Sequence, residues 1–286
     1  MTVSLKNNNT KSILKAELWK ELGRSMLLSA LVYALLFAVL YGVESLFPSL
    51  HHRLLTWYTP DKSLDWAFLV GIPASIIGTG YVLAIRNPQN YTGFYMGIVM
   101  SLLLAFQLYL QGSYDLVCLY LFVFVPFMIA SVVKWRKAAL AVTEKEKVEP
   151  FVPEFLKPTK QLLVLGVALL IIVADYIFVT LCINHDAWTD LLLTKLAGAV
   201  LIASAVLANF LLIYKKNDAW ICWGIYCLTG ILLFTVLGNA FSVVMFVTML
   251  IVNLSAQIAW LKQTPGLRFY HNSNRGFSPI NSELNT

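Results

Sequence analysis

Eight apolar stretches, each of about 20 residues, divide this chain of 286 residues and constrain its fold more than any other feature. An α-helix needs about 20 mostly apolar residues to cross the roughly 30 Å hydrocarbon core of a bilayer. Hydrophobic residues make up 59% of the sequence and charged residues 13%, which excludes a water-soluble globular protein. The sequence predicts an all-α integral membrane protein with eight transmembrane helices, near residues 25–47, 65–85, 91–111, 113–133, 161–183, 188–214, 219–237 and 240–261.

The basic residues are distributed unevenly between the predicted loops. All but Arg53, Lys62 and Lys195 of the 21 lysines and arginines fall on one side of the predicted membrane. Cytoplasmic loops carry an excess of lysine and arginine, so this pattern predicts that both termini are cytoplasmic. The net charge of +6 therefore reflects membrane orientation and does not indicate nucleic-acid binding. Residues 1–24 are polar and basic, and we expect them to form a frayed tail that runs into an amphipathic turn.

A weak internal repeat relates two parts of the chain. A shift of 127 residues places Asn90 on Asn217 and, with a gap of two residues, Trp135 on Trp260. Two triplets joined by one helix share the same orientation, which is the parallel-repeat arrangement of some small-solute transporters. The predicted 1 + (3+1+3) plan has an N-terminal tail, extra helix and interfacial segment (1–64), a first triplet (65–133), a cytoplasmic linker with a linker helix (134–187), a second triplet (188–262) and a cytoplasmic tail (263–286).

The predicted helix 219–237 and the residues just before it carry an aromatic and polar stripe. Asn217, Trp220, Trp223 and Gly224 are spaced three and four residues apart, so they share one helix face. Two indoles one turn apart can bracket a flat ligand, and their electron-rich faces favour a cationic one. Trp220 taken alone is equally compatible with the aromatic belt at a membrane interface.

Three of the polar residues inside predicted spans carry further hypotheses, because polar groups there tend to face the bundle interior or a wet cavity. The repeat places Gln107 on a face equivalent to that of Trp220, so it is expected to face the same central space, unless its amide only joins two helices. Asn209 follows a stripe of small residues and is not explained by helix packing alone. Asp175 in the linker helix is either a proton-transfer group or a carboxyl held neutral by burial.

The sequence around the tryptophan pair, with the closing Trp260, resembles the PnuC family of bacterial nicotinamide riboside transporters over residues 65 to 262. The WxxW pair of that family stands here as Trp220 and Trp223, and the preceding acidic residue as Asp218. The glycine-aromatic signature that often closes the first half is reduced to a lysine followed by Trp135. The resemblance implies a SWEET-like fold, a homotrimer in the bacterial inner membrane, and facilitated diffusion followed by trapping of the substrate through cytosolic phosphorylation.

Nicotinamide riboside consists of a flat cationic pyridinium ring, a carboxamide and a ribose. On this interpretation Trp220 and Trp223 hold the ring, Asn217 the carboxamide, and Gln107 with Asn209 the ribose. No arginine cluster lies near the predicted midplane, so phosphorylated nucleotides are expected to be poor substrates. No catalytic residue, metal or cofactor is predicted.

Two other functions are alternatives to this one. A transporter of another flat cationic vitamin, such as thiamine, could use the same aromatic clamp. A membrane enzyme that modifies a lipid or a quinone would need catalytic groups clustered at one membrane face. The sequence disfavours such an enzyme, because its histidines are scattered over predicted loops and a tail, at His51, His52, His185 and His271.

Overall fold

The computed structural model describes residues 2–46, 65–110, 112, 114–143, 152–182, 192–236 and 240–264. All four histidines lie outside these ranges. Within them, eight helical segments are long and apolar enough to cross a membrane, and no named strand is formed, which confirms the predicted all-α architecture. The elements are α1 (Thr2–Leu46), α2 (Trp66–Ile85), α3 (Gly93–Leu110), α4 (Tyr114–Cys118), a π-helical turn (Leu119–Phe124), α5 (Val125–Thr143), α6 (Pro158–Cys182), α7 (Leu192–Ile213), α8 (Asp218–Val236) and α9 (Ala240–Leu261).

Helix α1 starts well before its membrane-spanning part. It is continuous from Thr2, so the prediction that residues 1–24 form a frayed tail is wrong. Leu18 is 4% exposed, and the Glu21 carboxylate accepts a hydrogen bond from the Asn90 amide at 3.2 Å. These contacts hold the helix against the bundle before it enters the apolar region, and a helix that is already nucleated extends at little further cost.

The fourth spanning segment is built from α4, the π-helical turn and α5, and α5 continues past residue 133 to Thr143. The backbone N–H of Val125 bonds to the carbonyl of Tyr120, five residues earlier, which widens the helix locally. Tyr120 and Phe124 lie in this wide turn, and both are buried. The turn therefore directs two large rings into the bundle.

The helices form two packed groups. Helix α3 packs between α2 and α5 in one group, and α8 packs between α7 and α9 in the other. The groups meet where α2 contacts α9 and where α5 contacts α7, while α1 packs on α2 and α6 on α7. Arg86, Arg136, Lys215 and Lys262 all lie at one end of this bundle, called the basic end below.

An extended strap, residues 152–157, runs along the turn between α7 and α8. The N–H of Glu154 donates to the carbonyl of Lys215 at 3.2 Å, and the N–H of Asn217 donates to the carbonyl of Glu154 at 2.8 Å. The Glu154 carboxylate also forms a salt bridge with Lys216. The end of the linker is thus attached to the basic end of the bundle.

Asp218 adds a second attachment for the strap. Its carboxylate accepts hydrogen bonds from the Leu156 N–H at 2.8 Å and from the Gln161 side-chain amide at 2.9 Å. Asp218 also lies in the first turn of α8, where a negative charge is favourable. The acidic residue before the tryptophan pair therefore fastens the linker to α8.

The outer surfaces of α1 and α6 are apolar and exposed. Leu35 of α1 is 68% exposed, and Leu170 and Leu181 of α6 are 72% and 74% exposed. Such faces would be unstable in water and are typical of surfaces that contact lipid or another membrane protein. Helix α7 is the opposite case, since most of its residues are buried.

Candidate functional site

A cavity of about 80 Å³ lies between α2, α3, the π-helical turn, α8 and α9. It occupies the half of the bundle away from the basic end, because its walls include residues close to the turns after α3 and α8. About 10 to 15 Å³ of such space is enough for one water, so the cavity holds only a handful of waters in this conformation. Its side chains include Tyr81, Gln107, Tyr120, Phe124, Trp223, Tyr226 and Phe246.

Trp223 is the centre of the aromatic wall. Its ring makes edge contacts with Phe124 at 6.1 Å and with Tyr226 at 5.1 Å between ring centroids. Tyr226 in turn contacts Phe246 at 5.3 Å. The wall therefore offers several π faces and edges to a ligand, with Trp223 only 5% exposed.

Hydroxyl groups supply most of the polarity of this wall. The hydroxyls of Tyr120 and Tyr226 are 2.9 Å apart and share a hydrogen bond. The hydroxyl of Ser75 donates to the Gly71 carbonyl at 2.8 Å. The Tyr81 hydroxyl is buried and has no partner in the part of the chain that the structure describes. An unpartnered buried hydroxyl is costly, so Tyr81 is a ready hydrogen-bonding group for a ligand.

No Asp, Glu, Lys or Arg occurs among the described residues that line the cavity. A bound anion would therefore lack a charged partner there. A bound organic cation would meet aromatic faces and hydroxyl oxygens instead.

Gln107 also lines the cavity, and a glycine makes room for it. A Cβ atom at Gly71 would lie only 2.7 Å from the Gln107 side-chain nitrogen. The absence of a side chain at Gly71 thus lets the amide lie against α2. Gln107 was expected to face the same space as both indoles, and it lines this cavity together with Trp223 but not with Trp220.

Trp220 lies outside the cavity walls, in an aromatic cluster nearer the basic end. Its ring packs edge-on against Trp260 at 5.1 Å, and Trp260 contacts Trp135 at 5.7 Å. Phe94 completes the cluster with an edge contact to Trp135 at 4.7 Å. Trp220 is 1% exposed, so in this conformation the two predicted clamp residues do not face a common space.

The other two predicted residues lie outside the cavity walls as well. The Asn217 amide donates to the Thr264 hydroxyl at 2.7 Å, and the Asn209 amide donates to the Ala205 carbonyl at 2.8 Å. Both are buried, and the side-chain oxygen of each has no partner among the described residues. The Trp220 indole nitrogen is likewise buried and has no partner among the described residues. The structure thus brings Trp223 and Gln107 together and leaves the three others towards the basic end.

Comparison with known proteins identifies the family. The family profile described as nicotinamide mononucleotide transporter matches residues 68–262, which is more than half of the chain. The chain belongs to this family. It is a multi-pass membrane transporter rather than an enzyme.

A solved structure described as the vitamin B3 transporter PnuC has the same fold. It superimposes with a TM-score of 0.56 at 19% sequence identity, and the match covers 85% of this chain and 93% of that one. At this identity the likeness establishes the fold alone. A search of curated proteins gives no match.

Proposed function

We propose that this transporter carries nicotinamide riboside, a vitamin B3 nucleoside, and that its substrate binds in the cavity beside Trp223. The observation that carries the proposal is an aromatic cavity without a charged wall residue, inside a chain of the nicotinamide mononucleotide transporter family. Pockets that bind small molecules usually measure about 300 to 1,000 Å³, so binding in this cavity of about 80 Å³ requires side chains to move apart.

The chemistry of the walls fits a flat cationic ring. A cation over an aromatic face gains about 2 kcal/mol when both are removed from water. Trp223, Phe124 and Tyr226 supply such faces, while Gln107 and Tyr81 can bond to the carboxamide and the ribose hydroxyls. The cavity wall needs no carboxylate to balance the positive charge of the ring, because the electron-rich faces of the aromatic side chains attract that charge.

The same walls argue for the nucleoside over the nucleotide named in the description of the family. A phosphate group carries one to two negative charges and is bound in proteins by arginine, lysine or clustered backbone N–H groups. The described cavity walls contain no arginine or lysine. A mononucleotide would lose its phosphate hydration without compensation.

We further propose that Trp220, Asn217 and Asn209 act later, as the substrate passes towards the basic end. The indole nitrogen of Trp220 and the side-chain oxygens of both asparagines are buried without partners in the described structure. Such atoms are destabilising unless a ligand or a second conformation satisfies them. In that conformation Trp220 and Trp223 would bracket the ring as the sequence suggests.

The proposed transport cycle uses the two triplets as moving halves of a SWEET-like fold. The contacts of α2 with α9 and of α5 with α7 support this view, because in each pair the first helix of one triplet meets the last helix of the other. Rocking of such halves would open the cavity to one side and then to the other. The aromatic cluster of Trp220, Trp260 and Trp135 is then the barrier at the basic end.

Facilitated diffusion is proposed as the mode of transport, with trapping by cytosolic phosphorylation. The absence of an acidic side chain from the described cavity walls supports this, because a proton-coupled carrier needs a titrating group near its substrate. The proposal also includes a homotrimer in the bacterial inner membrane, with both termini cytoplasmic. The cytoplasmic location of both termini is supported by the basic residues that lie together at one end of the bundle.

Uptake into proteoliposomes that contain the purified protein tests this function. Labelled nicotinamide riboside should enter saturably, at the same rate with and without a proton gradient, and nicotinamide mononucleotide should compete weakly. Thiamine serves as the competitor that represents the alternative vitamin. Equal competition by the mononucleotide, or stronger competition by thiamine, would overturn the proposed substrate.

A further inference from the structure

A second concavity, of about 610 Å³, opens at the basic end between α1, α2 and α9, away from the aromatic cavity. Three cationic side chains line it, namely Arg24 of α1, Arg86 directly after α2 and Lys262 directly after α9. All three side chains are exposed at the edge of the apolar region. We call this concavity the α1–α9 groove.

The positive charge of the α1–α9 groove is largely uncompensated. Its one acidic side chain is Glu21, whose carboxylate accepts hydrogen bonds from the amides of Asn87 and Asn90 at 3.0 and 3.2 Å. Within the described ranges, none of the three cations forms a salt bridge. An anion in the groove would therefore meet three charges that are not already paired.

An aliphatic side chain lies about one helical turn deeper than each cation. Leu28 follows Arg24 by four residues along α1, Leu83 precedes Arg86 by three at the end of α2, and Ile258 precedes Lys262 by four at the end of α9. Leu28 is 50% exposed and Ile258 is 54% exposed, so the apolar part of the groove is open at the side. The groove thus has a cationic rim at the membrane face and an aliphatic wall towards the membrane centre.

We propose that the α1–α9 groove binds an anionic phospholipid, with the phosphate between Arg24, Arg86 and Lys262 and an acyl chain along the three aliphatic side chains. Basic pockets between transmembrane helices favour acidic head groups in this way. A free phosphate would use the cations alone and would leave the aliphatic wall without a partner, so the groove fits the lipid better. The bound lipid would connect α1 to α9 and hold the extra N-terminal helix to the family core, residues 68–262.

The test uses the full chain in detergent, with phosphatidylglycerol, phosphatidylcholine and inorganic phosphate as separate additions. Native mass spectrometry measures the apparent Kd for lipid, and thermal unfolding measures the melting temperature. Each cation near an anionic head group contributes about 1 kcal/mol, so the triple variant R24Q/R86Q/K262Q should bind phosphatidylglycerol about a hundredfold more weakly. The matched variant R136Q/K137Q/K160Q removes three exposed charges from the same end outside the groove, and should bind like the wild type.

The outcomes separate the possible ligands. Phosphatidylglycerol should raise the melting temperature of the wild type and of the matched variant, and inorganic phosphate should not. Equal loss of lipid binding in both triple variants would mean that the charge of the membrane face alone attracts the lipid, and would overturn the site. Stabilisation by inorganic phosphate as large as that by phosphatidylglycerol would overturn the lipid in favour of a free anion. If the triple variant does not fold, the single variants decide, since each should weaken lipid binding about fivefold relative to Arg136→Gln.

Discussion

The indole rings of Trp135 and Trp260 contact each other at 5.7 Å between centroids, and each donates its N–H to the first helix of the opposite helix group. Trp135 donates to the carbonyl of Leu212 at 3.2 Å, and Trp260 donates to the carbonyl of Ile85 at 3.1 Å. The two acceptors are 127 residues apart, which is the shift of the internal repeat predicted from the sequence. The pair therefore ties the groups together by two equivalent bonds.

Trp135→Phe and Trp260→Phe should each lower the stability of the protein by a similar amount. Each variant keeps most of the aromatic packing but loses one buried hydrogen bond, which contributes about 1 kcal/mol and leaves a carbonyl less satisfied. The melting temperature in detergent measures the effect, with Trp66→Phe as the control because Trp66 is 62% exposed. A clear loss in one variant only would show that the two bonds are not equivalent.

The helices of this protein were predictable because span length and apolar content are imposed by the bilayer itself. Helix α1 was the exception, since the contacts of Leu18 and Glu21 that extend it are tertiary and leave no pattern in residues 1–24. The π-helical turn at 119–124 was also missed, because a bond between residues five apart depends on local packing and not on residue type.

The candidate binding site was only partly predictable for a related reason. Trp220 and Trp223 share a helix face, but a step of three residues places them about 4.5 Å apart along the axis, and the cavity ends between them. Sequence spacing gives the face of a helix and not the depth at which a cavity stops. Tyr81, Tyr120 and Tyr226 were missed because a tyrosine in an apolar helix looks like a belt residue until its partner is known.

Lys215 should make the stability of the protein depend on pH. Lys215 is 3% exposed, has a left-handed backbone with φ of 51°, and places its ammonium 4.7 Å from the centre of the Trp135 ring. Burial lowers the pKa of Lys215 from 10.5 to about 7. Between these two values the unfolded chain binds more protons than the folded one, so stability should rise as the pH increases from about 7 to about 10.5.

Melting temperatures measured across this pH range check the Lys215 prediction. Lys215→Met should flatten the rise, because the variant has no proton to lose at this position. Lys137→Met, at an exposed position of the same end, should keep the wild-type slope. The prediction fails if the Lys215 variant retains the full slope.

Two glycines should respond in opposite ways to alanine. A Cβ at Gly230 would lie 2.4 Å from the ring of Phe246, which lines the cavity, whereas a Cβ at Gly198 would meet nothing within 4 Å. Gly230→Ala should therefore displace Phe246, destabilise the protein by about 1 to 3 kcal/mol and impair transport. Gly198→Ala should stabilise α7 by up to about 1 kcal/mol. Thermal unfolding and uptake assays check both, and a neutral Gly230→Ala would contradict the tight contact.

The proposed orientation of the protein in the membrane is testable with single introduced cysteines in a variant that lacks the native cysteines. Asn239, in the predicted turn before the last helix, lies outside the described residues, so Tyr114 is the better position at the end opposite the basic end. An impermeant thiol reagent should label Tyr114→Cys in intact cells and Lys137→Cys only after permeabilisation. The reverse pattern would require the opposite topology.

The most direct test of the central claim is a binding titration of nicotinamide riboside, and of an analogue with an uncharged ring, against wild type, Trp223→Ala and the exposed control Trp66→Ala. If Trp223 provides a desolvated cation–π contact of about 2 kcal/mol, its loss should weaken nicotinamide riboside binding roughly 30-fold. The analogue should bind wild type less well and should be much less sensitive to the substitution, while Trp66→Ala leaves both affinities unchanged. A folded Trp223→Ala protein that binds nicotinamide riboside like the wild type would contradict the account.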